Sequence, residues 1–165
     1  MGVRLYLRVP GFKFTVWLRI TSFLCTRKLL LPIYAIAKLY YKHLVIKYGI
    51  QIPISTTIGK GFYMGHFGGI VVNGNAIIGK NCNLSQGVTI GMSNRGIRAG
   101  YPVLHDNIYI GPGAKIVGKV VLGSNCAVGA NAVVTKDIPD NAVAVGIPAK
   151  VISYAGSANY VERTI

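Results

Sequence analysis

A six-residue period runs through this chain from Gly49 onward, and few folds can accommodate one. Ile52, Ile58, Met64 and Ile70 stand in one frame, and Val72, Ile78, Leu84 and Ile90 in a second. Leu104, Ile110, Ile116, Leu122, Val128 and Val134 stand in a third, so every position of the frames is aliphatic or methionine. A helix repeats every 3.6 residues and an ordinary strand every two, so neither produces this spacing. Glycine follows the key residue at 59, 79, 91, 111, 123 and 129. Small or β-branched residues precede it by two, at Ala76, Cys82, Val88, Ala114, Val120, Cys126 and Ala132. Each hexapeptide then supplies one short strand and a turn, and three of them close a triangular coil of about 18 residues. Stacked coils bury a continuous aliphatic column. A glycine-rich antiparallel meander would instead show period-two alternation and repeated hairpin turns, of which Asn73-Gly74 is a lone example.

The period slips by two between Ile70 and Val72, and again between Ile90 and Leu104, where fourteen residues stand in place of twelve. The second slip holds MSNRGIRAGYP, residues 92–102, a Gly- and Asn-containing stretch with two arginines that ends at proline. It reads as a loop extruded from the coil, where substrate contacts are expected.

Before Gly49 the pattern is helical. Phe12, Val16, Ile20 and Phe23 step by 4, 4 and 3, and Ile33, Ala37, Tyr40, Leu44 and Tyr48 by 4, 3, 4 and 4. Pro10-Gly11 opens the first helix, Pro32 sits in the first turn of the second, and Gly49 stops it. The expected organisation is a basic amphipathic helical segment over 1–48, a repeat domain over 49–152 with the loop 92–102, and a tail over 153–165.

Charge is unevenly placed. The chain holds 18 Lys and Arg against 4 Asp and Glu, a formal net charge of +14. Nine of the basic residues (Arg4, Arg8, Lys13, Arg19, Arg27, Lys28, Lys38, Lys42 and Lys47) lie in residues 1–48, and no acid precedes Asp106. These cations interleave with long aliphatics at helical spacing, which suits anionic lipid headgroups better than nucleic acid. The longest uncharged stretch there, residues 29–37, is far short of the ~20 needed to span a bilayer. No small-residue cleavage site follows it, so a cytoplasmic enzyme, peripheral at the inner face of the cytoplasmic membrane, is expected. Cys25, Cys82 and Cys126 are odd in number and form no CxxC pair, which indicates neither a disulfide framework nor a zinc site.

GFYMGHFGGIVV around His66, then NLSQGVTIG, then the long run from NIYIGPGAKIVG to the closing IPAKVI, together resemble the hexapeptide-repeat acyltransferases. Residues 49–152 resemble the serine acetyltransferase branch, and the whole chain looks closer to polysaccharide O-acetyltransferases of the colanic-acid type. The resemblance implies a mainly β fold, a left-handed parallel β-helix preceded by a pair of α-helices. It implies acetyl-CoA as acyl donor, a homotrimer with active sites between subunits, and no metal. His66 would be the general base: an imidazole titrating near neutrality can accept the hydroxyl proton as the oxygen attacks the thioester. By the same resemblance Gly91, Gly111, Pro112 and Ala130 would line the pantetheine groove, and Lys136 and Lys150 would lie near the cofactor. Gln86, Arg95, Arg98 and Tyr101 would contact the acceptor.

Two departures stand out. Where serine acetyltransferases pair the histidine with an aspartate in a VDIHP-like segment, this chain has IQIPI, with Gln51 in place of the carboxylate. Tyr101 replaces a second histidine before Pro102. Glutamine can fix the imidazole tautomer but cannot stabilise an imidazolium as a charge does. These departures point to a sugar hydroxyl of a small or lipid-linked glycan as acceptor, with serine acetylation as the alternative and a non-enzymatic membrane or nucleic-acid binding module as a second. A hexapeptide-fold carbonic anhydrase would need three zinc-binding histidines, and His66 and His105 stand 39 apart with no close pair. His105 reads as a surface turn residue and His43 as part of the basic helix.

Overall fold

The computed structural model describes Tyr6, residues 8–161 and residues 164–165; residues 1–5, 7, 162 and 163, among them Arg4 and Glu162, lie outside the described residues. Helix α1 (Pro10–Cys25) and helix α2 (Leu31–Tyr48) form a hairpin through a short 3-10 turn at Lys28–Leu30. Each helix carries proline in its first turn, and α2 ends on Gly49 in the left-handed conformation at φ 60°.

From there the chain winds through three parallel sheets. The first stacks β1 (Ile50–Gln51), β4 (Ile70–Val72), β7 (Thr89–Gly91), β10 (Lys115–Val117) and β13 (Val133–Val134). The second stacks β2 (Thr57–Ile58), β5 (Ile77–Ile78), β8 (Val103–Leu104) and β11 (Val121–Leu122). The third stacks β3 (Tyr63–Met64), β6 (Asn83–Leu84), β9 (Tyr109–Ile110), β12 (Ala127–Val128) and β14 (Val143–Val145), and ends on the antiparallel β15 (Lys150–Ser153). Successive strands of the chain therefore belong to successive sheets, which makes a triangular prism.

Register fixes the columns inside it. Val72, Ile90, Ile116 and Val134 align in the first sheet, Ile58, Ile78, Leu104 and Leu122 in the second, and Met64, Leu84, Ile110, Val128 and Ala144 in the third. All are buried. The small positions two residues earlier are buried too, Cys82 and Cys126 completely. Burial pushes the Cys82 thiol up to about 12 and raises that of Cys126, so both are packing groups rather than nucleophiles.

The same register corrects the two frame slips. Ile70 pairs with Ile50 and stands two before Val72, so it fills a small-residue slot rather than a key one. The two extra residues therefore lie in the turn between Met64 and Ile70, the turn that contains His66. An aliphatic side chain suits both slots, which is why the spacing alone misplaced the insertion. The second insertion is larger than the period implies. Ile78 pairs directly with Leu104, so the fourteen steps from Ile90 to Leu104 replace six, not twelve, and the loop adds eight residues.

One corner of the prism is held by an asparagine ladder. Asn81 donates to Asn107 (2.9 Å), Asn107 to Asn125 (3.0 Å) and Asn125 to Asn141 (3.2 Å), each with a positive φ between 53° and 59°. The tail closes over this corner: Ser157 Oγ donates to the Asn107 carbonyl (2.6 Å), and Tyr160 stacks on Tyr109 at 4.5 Å.

The helical hairpin covers the opposite end. Inside the prism, Ile78 O accepts from Gly59 N–H of the coil before it, and Leu104 O from Gly79 N–H. Ile58 has no preceding coil, and Arg19 takes its place by donating 2.5 Å bonds to the Ile58 and Gly59 carbonyls. The Tyr41 hydroxyl likewise donates to the Ile52 carbonyl. Gly11 lies so close to the first coil that a Cβ there would fall 2.1 Å from the Met64 carbonyl oxygen. The buried side of α1 is Phe14, Leu18, Thr21 and Leu24, not the Phe12, Val16, Ile20, Phe23 stripe that its periodicity singles out, of which Phe23 is 56% exposed. Both sides of α1 are apolar, so periodicity does not choose between them.

Candidate functional site

The turns leading from the third sheet to the first stack into one edge of the prism. Gly87 N–H donates to Gly68 O (2.9 Å), Gly113 N–H to Gln86 O (2.9 Å) and Asn131 N–H to Pro112 O (2.8 Å). His66, Gln86, Pro112 and Ala130 thus follow one another on four successive coils, about 14 Å from end to end at the usual strand spacing. Gly111 belongs to the same edge and is tightly packed there; a Cβ would meet Ala130 N at 2.8 Å. The His66 turn is two residues longer than the others on this edge and passes through Gly68 at φ 103° and Gly69 at φ 66°, which suit residues without a Cβ. Its imidazole is exposed and makes no side-chain hydrogen bond among the described residues.

The edge between the first and second sheets carries the extruded loop. Ser93 and Gly100 exchange backbone bonds of 3.1 and 2.9 Å, closing residues 93–100 on themselves. Gly91, at the end of β7, accepts from Gly118 N–H (3.0 Å) and lies at the loop's root. Arg95 and Tyr101 are exposed, and Lys136 is exposed on the turn after β13. Arg98 is different: its Nη1 donates to Asp137 Oδ1 at 2.8 Å and to the Lys119 carbonyl at 3.2 Å. Its guanidinium thus fastens the loop to the coil, a contact that was not expected of it.

The Arg98 hydrogen bond, aided by Val121 N–H, holds the Asp137 carboxyl below its usual range. Since that value is lowered in the folded state, the clamp is fully present above the unfolded carboxyl value of about 3.9 and is lost as pH falls through the lower folded one. Both side chains are about half exposed, so the pair is screened and its effect local. Arg98→Ala is expected to speed amide exchange in residues 93–100 several-fold at neutral pH, with the gap from wild type closing in strong acid. Equal exchange at neutral pH would remove the clamp.

The other candidates are scattered within one protomer. Lys150 lies on β15, paired with Val145, and the Ala149 N–H before it donates to the Val133 carbonyl of β13 (2.8 Å), the strand that leads to Lys136. Gln51 sits on the outer face of β1 and borders a groove of about 570 Å³ with Lys38, Lys42, Val45 and Ile54, and it makes no hydrogen bond to His66. Lys115, which sequence reasoning passed over, lies on β10 beside the His66 edge, with Nζ donating to the Gly87 carbonyl at 2.5 Å. Its signal was available: a cation at an outward position immediately before a key residue, Ile116. The described acids all serve turns on other edges. Asp106 accepts from Lys80 N–H (2.7 Å), Asp140 from Ser124 N–H (2.7 Å) and Asp137 from Val121 N–H (2.9 Å). His66 therefore has no carboxylate on its edge among the described residues. Among the described residues no three His, Cys, Asp or Glu side chains cluster as a metal site would require.

Residues 101–136 match the family described as bacterial transferase hexapeptide (six repeats). A serine acetyltransferase of Synechococcus elongatus is 32% identical over 155 residues, covering 94% of this chain and 62% of its own length. Among solved structures, the serine acetyltransferase of Neisseria gonorrhoeae in complex with serine superposes with a TM-score of 0.77 at 29% identity, covering 91% of this chain and 60% of that one. A serine acetyltransferase in complex with CoA gives 0.75 at 30% identity, covering 88% and 58%. The chain thus spans about three fifths of the length of these proteins. These likenesses set the hand of the coil as left-handed. They also overturn the expected polysaccharide O-acetyltransferase and its colanic-acid affinity: the proteins matched are serine acetyltransferases. That expectation leaned on Gln51, Tyr101 and the short basic helical segment over 1–48, against a likeness that runs through nearly the whole chain. The chain folds as a left-handed β-helix, its residues 101–136 match the hexapeptide transferase family, and the relatives and structures it is similar to along most of its length are serine acetyltransferases.

Proposed function

We propose that this protein transfers an acetyl group from acetyl-CoA to the hydroxyl of serine, with His66 as general base. The observation that carries the reading is the placement of His66 on an enlarged turn of the edge that also bears Gln86, Gly111, Pro112 and Ala130. An extended thioester arm lying along that edge would pass small side chains and end at the imidazole. The serine oxygen attacks the thioester carbonyl carbon while His66 takes its proton. The tetrahedral adduct then expels the CoA thiolate, which recovers the proton from the imidazolium. Lys115, Lys136 and Lys150 are cations suited to the phosphates of CoA. In a homotrimer, the loop edge of one protomer would face the His66 edge of the next and complete the site. The outward positions of the second sheet, Thr57, Ile77, Val103 and Val121, favour such packing, since Ile77 and Val121 are 46% and 40% exposed although apolar.

The test is direct: purified protein with acetyl-CoA and L-serine should release CoA thiol and form O-acetylserine, and silence with serine would reject the reading. Gln51 carries a second expectation. If it serves His66 in the assembled protein, Gln51→Asp adds a charge that stabilises the imidazolium and should raise kcat by roughly tenfold. An unchanged kcat and pH profile would leave residue 51 outside the proton transfer.

A further inference from the structure

The helical hairpin presents an apolar surface that the prism does not use. Helix α2 packs Ala37, Tyr41, Leu44 and Tyr48 inward, a single stripe at steps of 4, 3 and 4. On its other side Ile36, Leu39 and Ile46 are 70–75% exposed, and at the hairpin tip Leu29, Leu31 and Ile33 are at least 55% exposed. A helix at a protein surface ordinarily turns a polar side to water, whereas one apolar all round belongs in a core or in lipid. Helical geometry sets Lys38 and Lys42 along one border of this outer stripe and Lys47 along the other, with His43 between Leu39 and Ile36 and with Arg27 and Lys28 at the tip. No acid precedes Asp106 in the chain, so nothing on either helix neutralises these charges.

We propose that the outer face of α2 and the hairpin tip seat the protein on an anionic phospholipid surface. The isoleucines and leucines enter the boundary between headgroups and acyl chains, and the flanking lysines meet the phosphates. This goes beyond the acetyl-transfer reading and does not depend on it. The span Lys28–Tyr48 is long and apolar enough to cross a bilayer, yet Lys38, Lys42 and Lys47 interrupt it and its inner stripe is fixed to the first coil. A helix lying in the interface satisfies both constraints. A second copy of the chain is a poorer occupant, because two such faces would bring lysine against lysine with no acid to pair them.

The experiment is flotation of the full chain with vesicles of phosphatidylcholine alone and of phosphatidylcholine mixed with phosphatidylglycerol, at low and high salt. The wild type is expected to float with the anionic vesicles only, less so at high salt. The triple variant Ile36→Ser, Leu39→Ser, Ile46→Ser is expected to bind at least about tenfold more weakly. These side chains are exposed, so the variant should keep its circular dichroism spectrum and melting temperature. Three results would each overturn the proposal: wild type left at the bottom with anionic vesicles, a folded triple variant that floats equally well, or a wild-type mass in vesicle-free solution twice that of the variant, which would show a second copy on this face.

Discussion

His66→Ala is expected to lower kcat for acetyl transfer by about 10²- to 10⁴-fold, the usual contribution of a positioned general base, while leaving the fold intact. The second half of that expectation follows from the structure. The side chain is exposed, makes no hydrogen bond among the described residues and stands on a turn whose path is set by Gly68 and Gly69. Its removal uncovers no core and strands no buried partner. His66→Asn should behave alike, since an amide keeps the polarity but cannot take a proton at neutral pH. Initial rates with acetyl-CoA and serine, beside a melting curve and CoA binding for each variant, decide the matter. Retained turnover in a folded alanine variant would remove His66 from the chemistry.

Breaking the asparagine ladder should produce a large loss of stability from one polar side chain outside the aliphatic columns. Asn107 both accepts from Asn81 and donates to Asn125, at 2.9 and 3.0 Å, and adopts φ 59°. Asn107→Ala removes both bonds and leaves the amide of Asn81, a residue only 6% exposed, with only a long 3.5 Å bond to the Ile165 carbonyl. That loss is worth about 1–3 kcal/mol, and alanine in the left-handed region adds about 1–2 kcal/mol. Asn107→Gly loses the same bonds but takes the backbone angle freely, so it should fall between wild type and alanine. Thermal midpoints at one fixed protein concentration would show the order, with about 2–4 °C for each kcal/mol in a chain of this size. Three equal midpoints would mean that the ladder decorates the corner without holding it.

Much of the fold was legible because one physical constraint repeats: each strand must send one aliphatic side chain into a narrow prism, and the six-residue period records it. What the period could not record is which of two adjacent apolar slots a residue fills. Ile70 fits either, so the extra residues beside His66 were assigned to the wrong side of it. The same degeneracy hid the buried side of α1, where Phe12 and Phe14 are equally apolar. Handedness is absent from any period; the family resemblance implied it, and likeness to solved structures set it. Within the candidate site, Gly111, Pro112 and Ala130 were named through the family resemblance and not from spacing, and they fall on one edge with His66. The Arg98–Asp137 contact was not legible, because Asp137 is thirty-nine residues away and recognisable as a partner only once both are on the same edge. The acceptor was misjudged for a related reason: Gln51 and Tyr101 are conspicuous as departures, but two substitutions say less about chemistry than the coil they sit in.

A β-helix has no intrinsic length. Each coil offers its successor the same hydrogen-bonding rim it received, so an uncovered rim is a standing invitation to another chain's strand and to fibre growth. Arg19 and Tyr41 answer that invitation at one end by filling the acceptors of Ile52, Ile58 and Gly59, and the reversed strand β15 answers it at the other by breaking the parallel order. Two side chains and one change of direction thus make a discrete molecule out of a motif that could otherwise polymerise.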